Sequence, residues 1–188
     1  ILLSLMRVQN NMKLLFISLG CDKNLVDSEE MLGMLAADGH EIVDDEDEAE
    51  VIIVNTCCFI GDAKEESVNT ILEMAEKKKA GTCKVLIVTG CMAQRYKKEI
   101  SEEIPEVDAI LGTTSYGDIS KAVKEAQAGR HFEEYKSIDF LPDISGKRML
   151  TTGGHFAYLK IAEGCDKHCT YCIIPVSYTH LTLPTIRL

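Results

Sequence analysis

The chain has 188 residues, 46% of them hydrophobic and 27% charged, the balance of an ordinary globular protein with room for one full domain and part of another. No apolar run approaches the roughly 20 residues that a spanning helix needs, so no membrane partner is expected. The formal net charge of -10 offers nucleic acid no general electrostatic attraction, and direct nucleic-acid binding is not expected of this segment. Residues 1–5 lack the basic region of an export signal and no cleavage pattern follows. The eight cysteines are therefore expected in a reducing cytoplasm, where metal ligation is favoured over disulfides.

Residues 1–11 precede a Met12-Lys13 pair that opens a strand-like run, so Met12 is the expected start and 1–11 a non-native leader, with Met6 the other candidate start. Residues 14–17 read as a buried strand. Asn24, with Asp27 three residues on, is expected to cap a helix that runs through Met31, Leu32 and Leu35 to Gly39. Residues 51–54 form a second strand, apolar throughout rather than alternating, as in a sheet covered on both faces. A helix over 62–79 places Val68, Ile71, Leu72 and Ala75 at helical spacing and stops at Gly81. A third strand at 85–88, a helix at 93–103 that must end before Pro105, a fourth strand at 107–111 and a helix at 119–128 follow. The βαβα order predicts an α/β fold with a doubly wound parallel sheet over 12–141. Between Gly129 and Gly154 the pattern weakens, leaving room for one edge strand and a linker at 142–154. The acidic run 44–48 reads as a solvated turn, and Lys77, Lys78 and Lys79 as cations suited to the end of a helix dipole.

Two sets of cysteines stand out. Cys21, Cys57 and Cys91 each lie one to three residues past a predicted strand, and in an open parallel sheet those loops gather in one crevice. Gly20 and Gly90, just before two of them, allow the tight turns that a close approach would need. Cys165, Cys169 and Cys172 form a CxxxCxxC loop after the apolar run 156–161. Three thiolates can hold three corners of an iron–sulfur cluster and leave the fourth open, and no fourth ligand completes a familiar zinc spacing. Free thiols packed in a core, or a zinc-bound loop, are the other readings; Cys58 and Cys83 are read as packing residues.

The CxxxCxxC loop resembles the radical S-adenosylmethionine (SAM) superfamily, where the open iron binds SAM and an aromatic residue commonly takes the place of Tyr171. Together with Gly20-Cys21-Asp22-Lys23-Asn24, Asp27-Ser28-Glu29, Asn55-Thr56-Cys57 and Thr89-Gly90-Cys91-Met92-Ala93-Gln94-Arg95, it resembles the methylthiotransferases of that superfamily. Phe59-Ile60 with Ala63, Glu66 and Ser67, and Tyr158-Leu159-Lys160-Ile161-Ala162-Glu163-Gly164, are similar to the branch that modifies an aspartate of protein twelve of the small ribosomal subunit.

The resemblance implies two [4Fe-4S] clusters, an auxiliary one on Cys21, Cys57 and Cys91 and a SAM-binding one on Cys165, Cys169 and Cys172, with Tyr171 a SAM contact. It also implies a ribosomal-protein substrate, an electron donor, and a strand and cluster loop at 155–175 that open a truncated (β/α) barrel. Cys58 departs from the family, which tends to a small residue there. A methylthiotransferase acting on transfer RNA, and a non-catalytic iron–sulfur or zinc module, stay open as alternatives. Residues 176–185 back-translate to a sequencing-library adapter, so 176–188 are expected to be an assembly artefact and the chain an N-terminal fragment.

Overall fold

A computed structural model describes residues 11–140, 148–165, 167, 169–172 and 174. The expected leader 1–10, the linker residues 142–147 and the expected artefact 176–188 lie outside the described residues. Among the described residues six strands form one all-parallel sheet: β1 (Lys13–Ser18), β2 (Glu41–Val43), β3 (Val51–Thr56), β4 (Val85–Gly90), β5 (Ala109–Leu111) and β6 (Phe132–Glu134). Their spatial order is β2-β1-β3-β4-β5-β6. Helices α1 (Asp22–Ala37), α2 (Gly61–Ala80), α3 (Cys91–Arg95), α4 (Lys97–Glu103) and α5 (Ile119–Gln127) cover both faces.

Alternation along the strands explains the two layers. Ile52 and Val54 of β3, with Leu86 and Val88 of β4, pack on Ile71, Met74 and Ala75 of α2 and on Met92 and Ile100 of α3 and α4. Val51, Ile53 and Ile87 point the other way, onto Met31 and Leu35 of α1 and Ile119, Ala122 and Val123 of α5. Every residue of β3 and β4 is buried, and each large aliphatic side chain withdrawn from water stabilises the fold by about 1.5–3 kcal/mol. The chain steps outward in one direction from β1 to β2 and in the other from β1 to β3, so the order reverses between β1 and β3. The carboxyl ends there diverge into a crevice, the usual ligand position of such sheets.

Several elements differ from expectation. Strand β2 is too short, and too close to the acidic run, to show as an apolar pattern. Helix α1 begins at Asp22 with Cys21 at its N-cap, so Asn24 lies inside the helix and does not cap it. The single helix expected over 93–103 is two, broken at Tyr96, whose backbone leaves helical geometry at φ -115 and ψ 33. Strand β6 is the edge strand anticipated after Gly129. Gly81 ends α2 in the left-handed conformation, its N–H donating to the Lys78 carbonyl. The acidic run makes a turn in which Glu46 and Asp47 pair with Lys77, on a surface where such pairs add little.

The run 156–161 forms no strand among the described residues. Leu159 is 82% and Ile161 67% exposed, and the carbonyls of Phe156 and Tyr158 accept from the side chains of Thr152 and Arg148. The expected barrel strand is therefore not seen. Among the described residues no helix is long and apolar enough to cross a membrane.

Candidate metal centre

Cys21 follows β1, Cys57 follows β3 and Cys91 opens α3 directly after β4, so three neighbouring strands deliver three thiols to one end of the sheet. All three line one cavity of about 570 Å³, together with Lys23, Phe59, Ile60, Ala162, Glu163 and Ile174. Cys57 and Cys91 are buried, the Cys91 S–H being shared between Asn24 Oδ1, at 3.8 Å, and Cys57, whereas Cys21 is exposed. The Cys91 thiol donates to Cys57 and, with the backbone N–H groups of Phe59 and Cys58, pushes the Cys57 thiol down to about 6 against the opposing effect of burial. In the metal-free chain, Cys91→Ala should return Cys57 toward the ordinary thiol value of about 8.5. Thiolate absorbance at neutral pH would then fall, and an unchanged titration would contradict the Cys91 donor.

Short-range geometry holds the loops together. Gly20 has φ +101, and a Cβ there would lie 2.7 Å from the Cys57 Cβ and 2.9 Å from its Sγ. The Asn24 side chain donates to the carbonyls of Leu19 at 3.1 Å and Thr56 at 3.0 Å, tying the loop after β1 to the loop after β3. Asn55 donates to the Asn24 carbonyl and to Ser28 Oγ. The Ser67 hydroxyl accepts from the Cys57 N–H and donates to the Cys57 carbonyl, anchoring this residue to α2. Cys83 is a core residue, as expected. Cys58 is also in the core, its thiol pushed up by burial, but it lines the cavity as well.

The second set is more open. Cys165 and Cys172 are half-buried and Cys169 exposed, with the Cys172 N–H donating to the Cys169 carbonyl at 3.0 Å. Tyr171 is 91% exposed and packs against no core. Gly164 and Ile174, which flank this loop, line the same cavity as the first set. Among the described residues no three His, Cys, Asp or Glu side chains converge tightly enough for a single metal ion.

Sequence reasoning missed a charged network beside the cavity. Lys23 pairs with Asp27 at 3.2 Å and Glu163 at 3.1 Å, and Lys160 pairs with the same two carboxylates at 2.5 Å each. Burial works against the charge of Lys160, but Asp27 and Glu163 more than offset it and raise its pKa. Likewise burial opposes ionisation of Glu163, and Lys23 and Lys160 outweigh it. Nearby, the Glu29 carboxylate, 0% exposed, accepts from Arg148 and from the N–H and hydroxyl of Thr151. Only the recurrence of these residue types in the quoted motifs could have signalled this.

Fold and site together define a doubly wound α/β domain whose strand ends present three cysteines to one crevice. The chain belongs to the family described as "Uncharacterized protein family UPF0004", whose model matches residues 13–112. It is 63% identical over 164 residues to "Ribosomal protein uS12 methylthiotransferase RimO" of Lachnoclostridium phytofermentans, covering 87% of this chain and 37% of that protein. Proteins of the same name from Clostridioides difficile and Acetivibrio thermocellus are 51% and 52% identical, over 87% and 85% of this chain. The chain thus spans 36–37% of the length of these curated relatives.

Proposed function

We propose that this chain is the N-terminal part of a radical SAM methylthiotransferase that places a methylthio group on the β-carbon of an aspartate in protein twelve of the small ribosomal subunit. The observation that carries the reading is the gathering of Cys21, Cys57 and Cys91 around one cavity at the switch point of the sheet. The names of the relatives support the substrate. In this reading residues 12–141 are the family's N-terminal domain, 142–154 a linker, and 155–175 the opening of a radical SAM domain.

Cys21, Cys57 and Cys91 would hold the auxiliary [4Fe-4S] cluster, and Cys165, Cys169 and Cys172 the SAM-binding one. The donor set fits: thiols alone, three in each set, leave one corner for an exchangeable ligand. When bound, the clusters and SAM supply one-electron chemistry able to break an unactivated C–H bond, and the sulfur that replaces the hydrogen. A side-chain base could not ionise such a carbon usefully near neutral pH. The chain's own residues position and enclose. Ser67 anchors the Cys57 backbone, the Cys91 thiol and the backbone N–H groups of Phe59 and Cys58 favour the ionised form of the Cys57 thiol, and Phe59 and Ile60 line the cavity with apolar surface. Tyr171, exposed beside its cysteines, is free to meet SAM.

The test is anaerobic incubation of the full-length enzyme with SAM, a reductant and the ribosomal protein. The expected result is a mass gain of one methylthio group on an aspartate. No gain on that protein, with a gain on transfer RNA, would overturn the substrate; no gain on either would overturn the activity.

A further inference from the structure

We infer that Lys23, Asp27, Lys160 and Glu163 form a positioning ring that fixes the two thiol sites relative to each other, an inference that rests on the reading above. The four charges alternate and close on themselves: each cation touches both anions, at 2.5–3.2 Å. The ring is withdrawn from water, the Lys160 side chain being 8% and that of Asp27 7% exposed. Surface ion pairs hold little, but a charge inside such a ring cannot lose its partner without being left uncompensated in a poorly hydrated place.

Placement gives the ring its role. Lys23 lies two residues after Cys21, on the first turn of α1, and Glu163 lies two residues before Cys165. Both also line the cavity onto which Cys21, Cys57 and Cys91 open. The Lys23–Glu163 pair thus ties the segment that follows Cys21 directly to the segment that leads into Cys165. On the far side Ile174 packs against the core, and Arg148 donates to the Tyr158 carbonyl. The run 156–161 has no strand partner, and Leu159 and Ile161 face outward, so apolar packing does not locate it. Its attachment to α1 is polar, through the ring and through the contacts of Glu29 with Arg148 and Thr151. An electrostatic attachment fixes orientation through directional bonds. These are positioning residues, acting through the cysteines they place.

The test uses the whole chain after anaerobic loading with iron and sulfide, and compares the parent with Lys160→Met, Lys160→Arg and the full inversion K23E/D27K/K160E/E163K. Three quantities are read: iron per chain, magnetic coupling between the two reduced clusters, and hydrogen exchange of residues 158–163. Lys160→Met should keep its iron, lose the defined coupling, and exchange at 158–163 about tenfold faster while β3 and β4 stay protected. Lys160→Arg and the inversion, which preserve alternation, should restore both signals. Coupling and exchange unchanged in Lys160→Met would overturn the ring, as would an inversion that restores neither. Should Lys160→Met also expose β3 and β4, Glu163→Gln, in the loop and outside the sheet, decides by the same readouts. A chain that takes up no iron refutes the cluster reading instead, and exchange at 158–163 in the metal-free chain still decides the ring.

Discussion

Gly90→Ala should destabilise the chain by about 4 kcal/mol, combining the strain of a backbone region nearly exclusive to glycine with overpacking. Gly90 sits at φ 93 and ψ -159, the last residue of β4 and the one before the helix that begins with Cys91. A Cβ there would meet Asn55 Oδ1 at 2.3 Å, the Thr56 carbonyl at 2.5 Å and the Thr56 N at 2.9 Å. Two of those atoms are backbone of the central strand, fixed by its ladder to β1 and β4, and cannot give way. The loss would be a large share of the 5–15 kcal/mol that holds a typical domain. Gly81→Ala is the matched control, since Gly81 also has a positive φ, 85, but no atom within 4 Å of its would-be Cβ. It should cost only about 1 kcal/mol. Denaturant midpoints compare the two, and equal losses would show that the loops after β3 and β4 do not approach as described.

Glu29→Ala should release residues 148–151 from α1 while leaving the sheet intact. The carboxylate accepts two bonds from the Arg148 guanidinium and two from Thr151, and its own backbone carbonyl accepts from the Met149 N–H. Breaking a buried pair by removing one partner costs about 3–5 kcal/mol, so exchange of the Met149 and Thr151 amide hydrogens should quicken by about a hundredfold or more. Acid should do the same to the parent chain. Burial alone would raise the Glu29 pKa, but the Thr151 and Arg148 donors outweigh it and hold the carboxyl below its ordinary value. A group whose folded pKa is depressed stabilises fully above its unfolded value, about 4.3, and loses that contribution as pH falls through the folded value. The attachment should therefore hold at neutral pH and weaken below about pH 4. Amide exchange at 149 and 151 that is indifferent both to Glu29→Ala and to acid would contradict it.

These two sites also show what the sequence could and could not reveal. The strands that carry the thiols were legible because β1, β3 and β4 are apolar runs bounded by glycine and helix, and a parallel order places their carboxyl ends together. Gly20 and Gly90 were legible as turn residues, and both have positive φ. Asn24 was misread because a polar residue near a helix start has the pattern of a cap, whereas here it bridges two loops whose approach depends on the tertiary fold. The run 156–161 has strand composition, but composition does not supply the neighbour that a strand needs. The ring was hidden for a similar reason: Asp27 and Lys160 stand 133 positions apart, and no local spacing announces that they touch.

The central claim is that Cys21, Cys57 and Cys91 hold one cluster, and iron and acid-labile sulfide counted per chain after anaerobic loading test it most directly. The parent chain and one carrying Cys21→Ser, Cys57→Ser and Cys91→Ser together should differ by about four irons and as many sulfides, the content of one cubane. Equal iron in the two chains, or zinc in place of iron in the parent, would contradict the account.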